Sequence, residues 1–151
     1  MPNNQARLAN QSWESLLRAQ VAVARRLSTD EIWKELSTRE YDVLYTISKS
    51  PDGLRLLDLS ERIMLTQTGI TRLVARLEER RLITRTPDPA DARAVRLSLT
   101  PEGRDAQRRI GTAHARSVTC VMAEALEPEE LQQLQALCDK LAASVREKNQ
   151  G

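Results

Sequence analysis

At 151 residues with 40% hydrophobic side chains, the chain is long enough for one domain with a proper core and short for two. Its net charge of +2 sets 23 basic groups against 21 acidic ones, but residues 72 to 109 hold ten basic and six acidic side chains, a local +4 made entirely of arginine. Two cysteines and one histidine exclude a conventional Cys/His zinc site within one chain, no apolar run is long enough for a membrane span, and there is no Gly-rich phosphate loop, GxSxG or HExxH. An enzyme is therefore not expected, nor a metal or cofactor. The N-terminal MPNNQARLANQ lacks the basic-then-apolar pattern of a signal peptide, which predicts a cytoplasmic protein.

Only a short polar start and Gly151 read as tails. From Gln11 to Leu27, the residues Trp13, Leu16, Leu17, Val21, Ala24 and Leu27 form an apolar stripe at helical spacing. Trp13 suits a core or interface better than a ligand cage. Thr29 to Glu35 interrupts it as a loop or helical turn. Ser37 and Glu40 then stand as a capping box, with Leu36 and Tyr41 placed as a hydrophobic staple, so a second helix starts there and ends at the Ser50-Pro51-Asp52-Gly53 turn. Leu54 to Leu56 reads as extended, and Leu57 to Met64 as a third helix burying Leu59 and Ile63.

Thr66 to Arg81 is the most informative stretch. At 100° per residue, Ile70, Leu73, Val74 and Leu77 gather on one side, with Thr68, Thr71, Arg72 and Ala75 opposite. Thr66 is a suitable N-cap, and Arg80 and Arg81 suit the negative end of the helix dipole. Gln67, Thr68, Thr71 and Arg72 thus point outward from the first two turns, as do the N-terminal residues of a helix entering a DNA major groove, where Gln pairs with adenine and Arg with guanine. Taken alone, this pattern favours an ordinary surface helix with a solvated charged face. The segment C-terminal to it favours DNA. Leu82 to Thr86 is β-prone, Pro87 to Arg93 is a turn-rich tip, and Val95, Leu97 and Leu99 alternate with Arg96 and Ser98 as in a half-buried strand. Helix-turn-helix, strand, arginine-bearing tip and strand make a winged helix. Thr100, Pro101 and Glu102 restart helix to about Leu126. Pro128 opens another, with Leu131, Leu134, Leu137, Leu141 and Val145 along a coiled-coil type of seam. The predicted class is mainly α (α+β): a winged helix-turn-helix lobe at residues 36–100, with helices at 8–35 and 101–147 forming a dimerisation platform in one continuous globular unit.

The stretch GLRLLDLSERIMLTQTGITRLVARLEERRLITRTPDPADARAVRLSLTPEG, Gly53 to Gly103, resembles the MarR family of bacterial winged-helix transcription regulators, and the helical flanks fit the same plan. The specific signal is compound: TRLVARLEERRLI, then Asp91 and Arg93 as the D-x-R of the wing, then LSLTPEG. The resemblance implies a homodimer whose terminal helices interlock, each subunit placing its fourth helix in a major groove of an inverted-repeat operator in double-stranded DNA and its wing in the adjacent minor groove. It implies DNA contacts at Thr66, Gln67, Thr68, Thr71, Arg72 and Arg76, a minor-groove contact at Arg93, and Asp91 as the acid that steadies Arg93. It also implies a repressor released by a small-molecule effector, in a pocket to which Trp13, Leu17, Tyr41, Tyr45 and His114 are assigned, with plain core packing as the alternative for each. His114, mid-helix among polar neighbours, is expected to be exposed. Three positions depart from the family pattern. Leu57 replaces the usual Ser or Thr at the start of the third helix, Arg81 replaces the usual Gly before the wing, and Ala92 replaces a frequent second wing arginine.

Two readings of another kind compete: a winged-helix module that binds protein, and a thiol-based redox sensor using Cys120 and Cys138. Both cysteines are expected to be small buried apolar residues.

Overall fold

The computed structural model describes residues 2–63 and 65–149. Met64, expected to end the third helix, and Gly151, expected to be a tail, lie outside the described residues, as do Met1 and Gln150. The chain divides into two compact units at the His114–Ala115 bond.

In the first unit, helix α1 (Pro2–Ser28) already includes the polar start expected to be a tail. A 3-10 turn (Glu31–Lys34) fills the polar interruption, and the Trp33 indole donates to the Leu27 carbonyl at 2.7 Å. Helix α2 (Thr38–Ser48) opens on a complete capping box: Ser37 Oγ accepts from Glu40 N at 3.2 Å while Glu40 Oε2 accepts from Ser37 N at 2.8 Å. The chain then turns at Gly53, whose φ of 85° lies in the left-handed region that favours glycine.

Strand β1 is only Leu54–Arg55, and Leu56, expected to be extended, begins α3 (Leu56–Arg62). The N-cap of α3 is Arg55, which makes no side-chain cap bond, and Leu57 lies in the first turn. Ile63 was expected inside that helix. It adopts an extended φ, ψ of −121°, 130° and packs against the core from the turn. Helix α4 (Gln67–Glu79), strands β2 (Ile83–Pro87) and β3 (Val95–Leu99), and helix α5 (Pro101–Ala125) follow. The antiparallel sheet has the order β1-β3-β2, pairing Leu54 with Leu97 and Arg85 with Leu97. Because paired residues project to one face, Leu54, Leu97, Ile83 and Leu99 turn toward the helices while Arg55, Arg96 and Thr86 share the other face. The core joins Leu36, Val43, Leu44 and Ile47 to Leu59, Ile70, Val74, Leu77 and Leu97, all 1% exposed or less.

Helix α5 begins as read, with Pro101 first and Thr100 Oγ1 accepting from Gly103 N at 2.9 Å. Gly103 has a packing reason: a Cβ there would overlap the Leu82 carbonyl, whose carbon is 2.8 Å away.

The second unit holds the end of α5 and helix α6 (Pro128–Asn149). The seam residues Leu134, Leu137, Leu141 and Val145 are exposed within the single chain. Cys120 and Cys138 are exposed too, contrary to the burial expected of them. The cause is that α6 buries almost nothing within one chain, and that Cys120 shares a face of α5 with the exposed Arg116, Ala123 and Glu124, its thiol 3.2 Å from Glu124 Oε1. No helix of the described residues is long and apolar enough to cross a membrane.

Candidate nucleic-acid interface

Helix α4 divides as its sequence demands. Ile70, Val74 and Leu77 are buried, Leu73 is half-buried against the core, and Thr66, Gln67, Thr68, Thr71 and Arg72 are all exposed. Thr66 caps the helix, its hydroxyl accepting from Gly69 N at 3.1 Å, and the Thr71 hydroxyl donates to the Gln67 carbonyl at 2.9 Å. Among the described residues no ion pair or side-chain hydrogen bond holds the Arg72 guanidinium. Arg76 stands differently: its Nη1 lies 3.6 Å from Oε1 of the buried Glu40, whose Oε2 is 3.6 Å from Arg80 Nη1. Glu40 thus caps α2 and, through two arginines, ties α2 to the far half of α4.

The C-terminus of α4 explains the Arg81 anomaly. Leu82 N donates to Leu77 O at 2.9 Å and Arg81 N to Glu78 O at 2.9 Å, the paired bonds of a Schellman motif, with Leu77 and Leu82 both buried across it. That motif requires a left-handed residue after the cap, and Arg81 supplies it with φ 57°, the one non-glycine of positive φ among the described residues. The turn the family makes with glycine is kept here with a side chain that resists it. The chain then enters β2, where Arg85 Nε donates to Glu78 Oε2 at 2.7 Å.

In the wing, residues 89–93 are all exposed, Arg93 included. Asp91, the acid implied to steady Arg93, reaches it through the backbone: its Oδ1 accepts from the Arg93 N–H at 3.0 Å, and among the described residues no ion pair joins the two side chains. Asp91 lies two residues before Arg93 in a tight turn, which brings its carboxylate within reach of the amide. The charged centre of the wing is instead Asp88, 3% exposed, whose Oδ2 accepts from Arg55 Nε at 2.7 Å and Arg96 Nε at 2.9 Å, and whose Oδ1 accepts from Ala90 N at 2.7 Å. Hydrogen bonds from Arg55 above all, then from Ala90 N–H and Arg96, hold its carboxyl well below the usual carboxylate range. Asp88, Arg55 and Arg96 were not singled out from sequence. The only available hint was Arg96 on the polar face of an alternating strand.

A pocket of about 500 Å³ lies in the first unit, lined by Arg25, Trp33, Thr38, Arg39, Asp42 and His114 among others. His114 was expected to be exposed but is half-buried, its ring centroid 5.2 Å from that of Trp33 and 5.5 Å from that of Tyr41, because α5 packs against the 3-10 turn and α2 there. Its buried Nδ1 has no hydrogen-bond partner among the described residues. Tyr41 is buried beside the histidine, its ring centroid 5.9 Å from that of Tyr45 with the two planes tilted by 30°. Burial pushes the Asp42 carboxyl and the Tyr41 phenol up, with His114 opposing the shift at Asp42. Of the five residues assigned to an effector pocket only His114 lines this one: Trp13 and Leu17 are exposed on α1, Tyr45 is exposed on α2, and Tyr41 is not in the lining. Among the described residues no three His, Cys, Asp or Glu side chains are grouped to hold a metal.

A MarR family model matches residues 35–94. The HTH-type transcriptional regulator SarZ of Staphylococcus epidermidis is 30% identical over 101 residues, which is 62% of this chain and 68% of that one. Against SarZ of Staphylococcus aureus, also 30% identical, the match spans 66% of the relative's length, just under two thirds. Among solved structures, AbsC, a MarR family transcriptional regulator from Streptomyces coelicolor, superposes with a TM-score of 0.77 at 25% identity, covering 91% of this chain and 93% of that one. The PcaV transcriptional regulator of the same organism, solved with its natural ligand, gives a TM-score of 0.67 at 29% identity over 85% and 91% of the two chains. A helix-turn-helix with an exposed polar face on α4, a two-stranded wing and these likenesses agree, and the chain belongs to the MarR family of winged-helix transcriptional regulators.

Proposed function

We propose that the protein is a homodimeric repressor that binds an inverted-repeat operator and is released when a small molecule occupies the pocket beside His114. The observation that carries the reading is the outer face of α4. Gln67, Thr68 and Arg72 are exposed on its first two turns, and Arg72 is unclaimed by any acid among the described residues. Such side chains can reach base edges in a major groove, with Thr66 and Thr71 bonding base or phosphate and Arg76 reaching phosphate from its place beside Glu40. Arg93, exposed at the wing tip, enters the adjacent minor groove, whose negative potential attracts arginine.

Dimerisation is supported by apolar faces left open within one chain. Leu8, Trp13, Leu17 and Val21 on α1 are exposed, as are Leu137, Leu141 and Val145 on α6. Unpaired stripes of this size on helices ordinarily mark an interface. Residues 36–100 then serve as the DNA-binding lobe, and 8–35 and 101–147 as the dimerisation helices. PcaV, solved with its natural ligand, supports a ligand-responsive reading of the pocket, whose lining of Trp33, His114, Arg25 and Arg39 offers ring faces and positive charge.

Light scattering and DNA binding on the full chain and on a chain ending at residue 126 test this reading together. The full chain should be a dimer whose affinity for DNA falls steeply with salt, as counterion release requires. The shortened chain should lose both dimerisation and tight binding, and wild-type affinity in a monomeric shortened chain would overturn the reading.

A further inference from the structure

We propose that Asp88 is the positioning residue of the wing, holding the loop that carries Arg93 in the orientation that reaches DNA; the proposal rests on the wing contact proposed above. Residues 89–93 are all exposed, so the loop has no apolar anchor of its own. Its shape is set by four bonds. Asp88 N donates to Ala94 O at 3.0 Å, Ala94 N to Asp91 O at 2.9 Å, Ala90 N to Asp88 Oδ1 at 2.7 Å and Arg93 N to Asp91 Oδ1 at 3.0 Å. Two of the four run through Asp88.

The same carboxylate ties this loop to the helix-turn-helix. Arg55, which donates to Asp88 through Nε, is the last residue of β1 and the N-cap of α3. Arg96, which donates from the paired position on β3, also gives Nη1 to the Asp52 carbonyl at 3.3 Å in the turn before β1. Wing tip, β3, β1 and the first residue before α3 therefore meet at one buried carboxylate. Arg55 and Arg96 sit side by side in register, so without the Asp88 charge two guanidiniums would face each other at the root of the loop, with Asp58 and Asp91 acting on Arg55 only through space. Removing the charge both frees the loop and pushes its supports apart.

Arg93 and Asp88 should then act on DNA as one unit, which a double-mutant cycle reads directly. The experiment measures affinity of full-length wild type, Arg93→Ala, Asp88→Asn and the double variant for a mixed-sequence duplex of about 30 base pairs across a salt series. Arg93→Ala should weaken binding and reduce the slope of log affinity against log salt by roughly one. Asp88→Asn, although its side chain touches no DNA, should reproduce both effects, and the double variant should bind no more weakly than Arg93→Ala. Without DNA, amide exchange in Asp88→Asn should rise at residues 89–94 and stay unchanged in α4. If Asp88 only supports the fold, its loss lowers affinity without changing the slope and adds in full to Arg93→Ala, which overturns the proposal. An Arg93→Ala variant with wild-type affinity and slope overturns the wing contact itself, and with it this proposal, but leaves the exchange result to report whether Asp88 holds the loop. Should Asp88→Asn fail to fold, Arg55→Gln removes the tie to β1 while leaving Arg96 to neutralise the carboxylate. It is expected to shift slope and exchange in the same direction, and unchanged values would count against the proposal.

Discussion

Arg81 is the residue whose replacement should most directly improve this protein. It is the left-handed residue of the Schellman motif that ends α4, at φ 57°, and its side chain makes no hydrogen bond or ion pair among the described residues. A side-chain-bearing residue in that region costs about 1–2 kcal/mol relative to the right-handed one, a cost glycine does not bear. Replacing Arg81 by Gly removes that strain, while the greater freedom of glycine in the unfolded chain returns about 0.4–1 kcal/mol. The net expectation is a gain of roughly 0.5–1 kcal/mol, or about 1–4 °C in Tm for a chain of this length. The backbone bonds of the motif, Leu82 N to Leu77 O and Arg81 N to Glu78 O, need no side chain and should persist. Urea unfolding at fixed protein concentration is the assay, because stability of an associating chain depends on concentration. Arg81→Gly should raise the midpoint with the m-value unchanged, whereas Arg81→Ala, which keeps a Cβ, should gain little. Equal effects of Gly and Ala, or a loss of stability with Gly, would show that the left-handed conformation costs nothing here.

Two other substitutions probe close packing and charge. Gly103→Ala places a Cβ on the Leu82 carbonyl, a backbone group that cannot rotate away and that already accepts from Thr100 N at 3.1 Å; it should lower stability by about 1–3 kcal/mol, and wild-type stability in thermal unfolding would show that the start of α5 can slide. Asp88 has a folded pKa depressed below its ordinary 3.8, chiefly by Arg55, so its contribution is complete above the unfolded value and is lost as pH falls below about 4 toward the folded pKa. Asp88→Asn should therefore be less stable than wild type at neutral pH and show a shallower loss on acidification; parallel acid-unfolding curves for the two proteins would contradict the assignment.

What could be read from the sequence was what depends on near neighbours in the chain. The Ser37–Glu40 box, the Thr66 and Thr100 caps and the apolar face of α4 all act within four residues, so residue type and spacing alone located them. The alternation of Val95, Leu97 and Leu99 located β3 for the same reason. The charged centre of the wing was not legible. Asp88 sits 33 residues from Arg55, and nothing local distinguishes it from Asp91, which has the better motif but only reaches a backbone amide. The partial burial of His114 is not legible locally, because it comes from Trp33 and Tyr41, more than 70 residues earlier, and not from its helical neighbours. Arg81 was recognised as a departure from a glycine position, but only the backbone shows that the left-handed turn is retained with arginine in it. The exposure of the cysteines runs against their residue type, which usually favours burial: Cys138 lies on α6, which leaves nearly every residue exposed within one chain, and Cys120 lies on an exposed face of α5.

The central claim is that α4 reads DNA sequence and does so twice per operator, and selection of bound sites from random DNA by the full-length protein tests it most directly. The wild type should return an inverted repeat whose half-site centres are separated by about one helical turn, roughly 10 base pairs, or a multiple of it. Selection with Arg72→Ala should relax preference at one symmetric pair of positions, losing about 1–3 kcal/mol of discrimination there, and leave the rest of the motif in place. A selection that yields no repeat, or a motif that survives both Arg72→Ala and Gln67→Ala unchanged, would contradict readout by this helix.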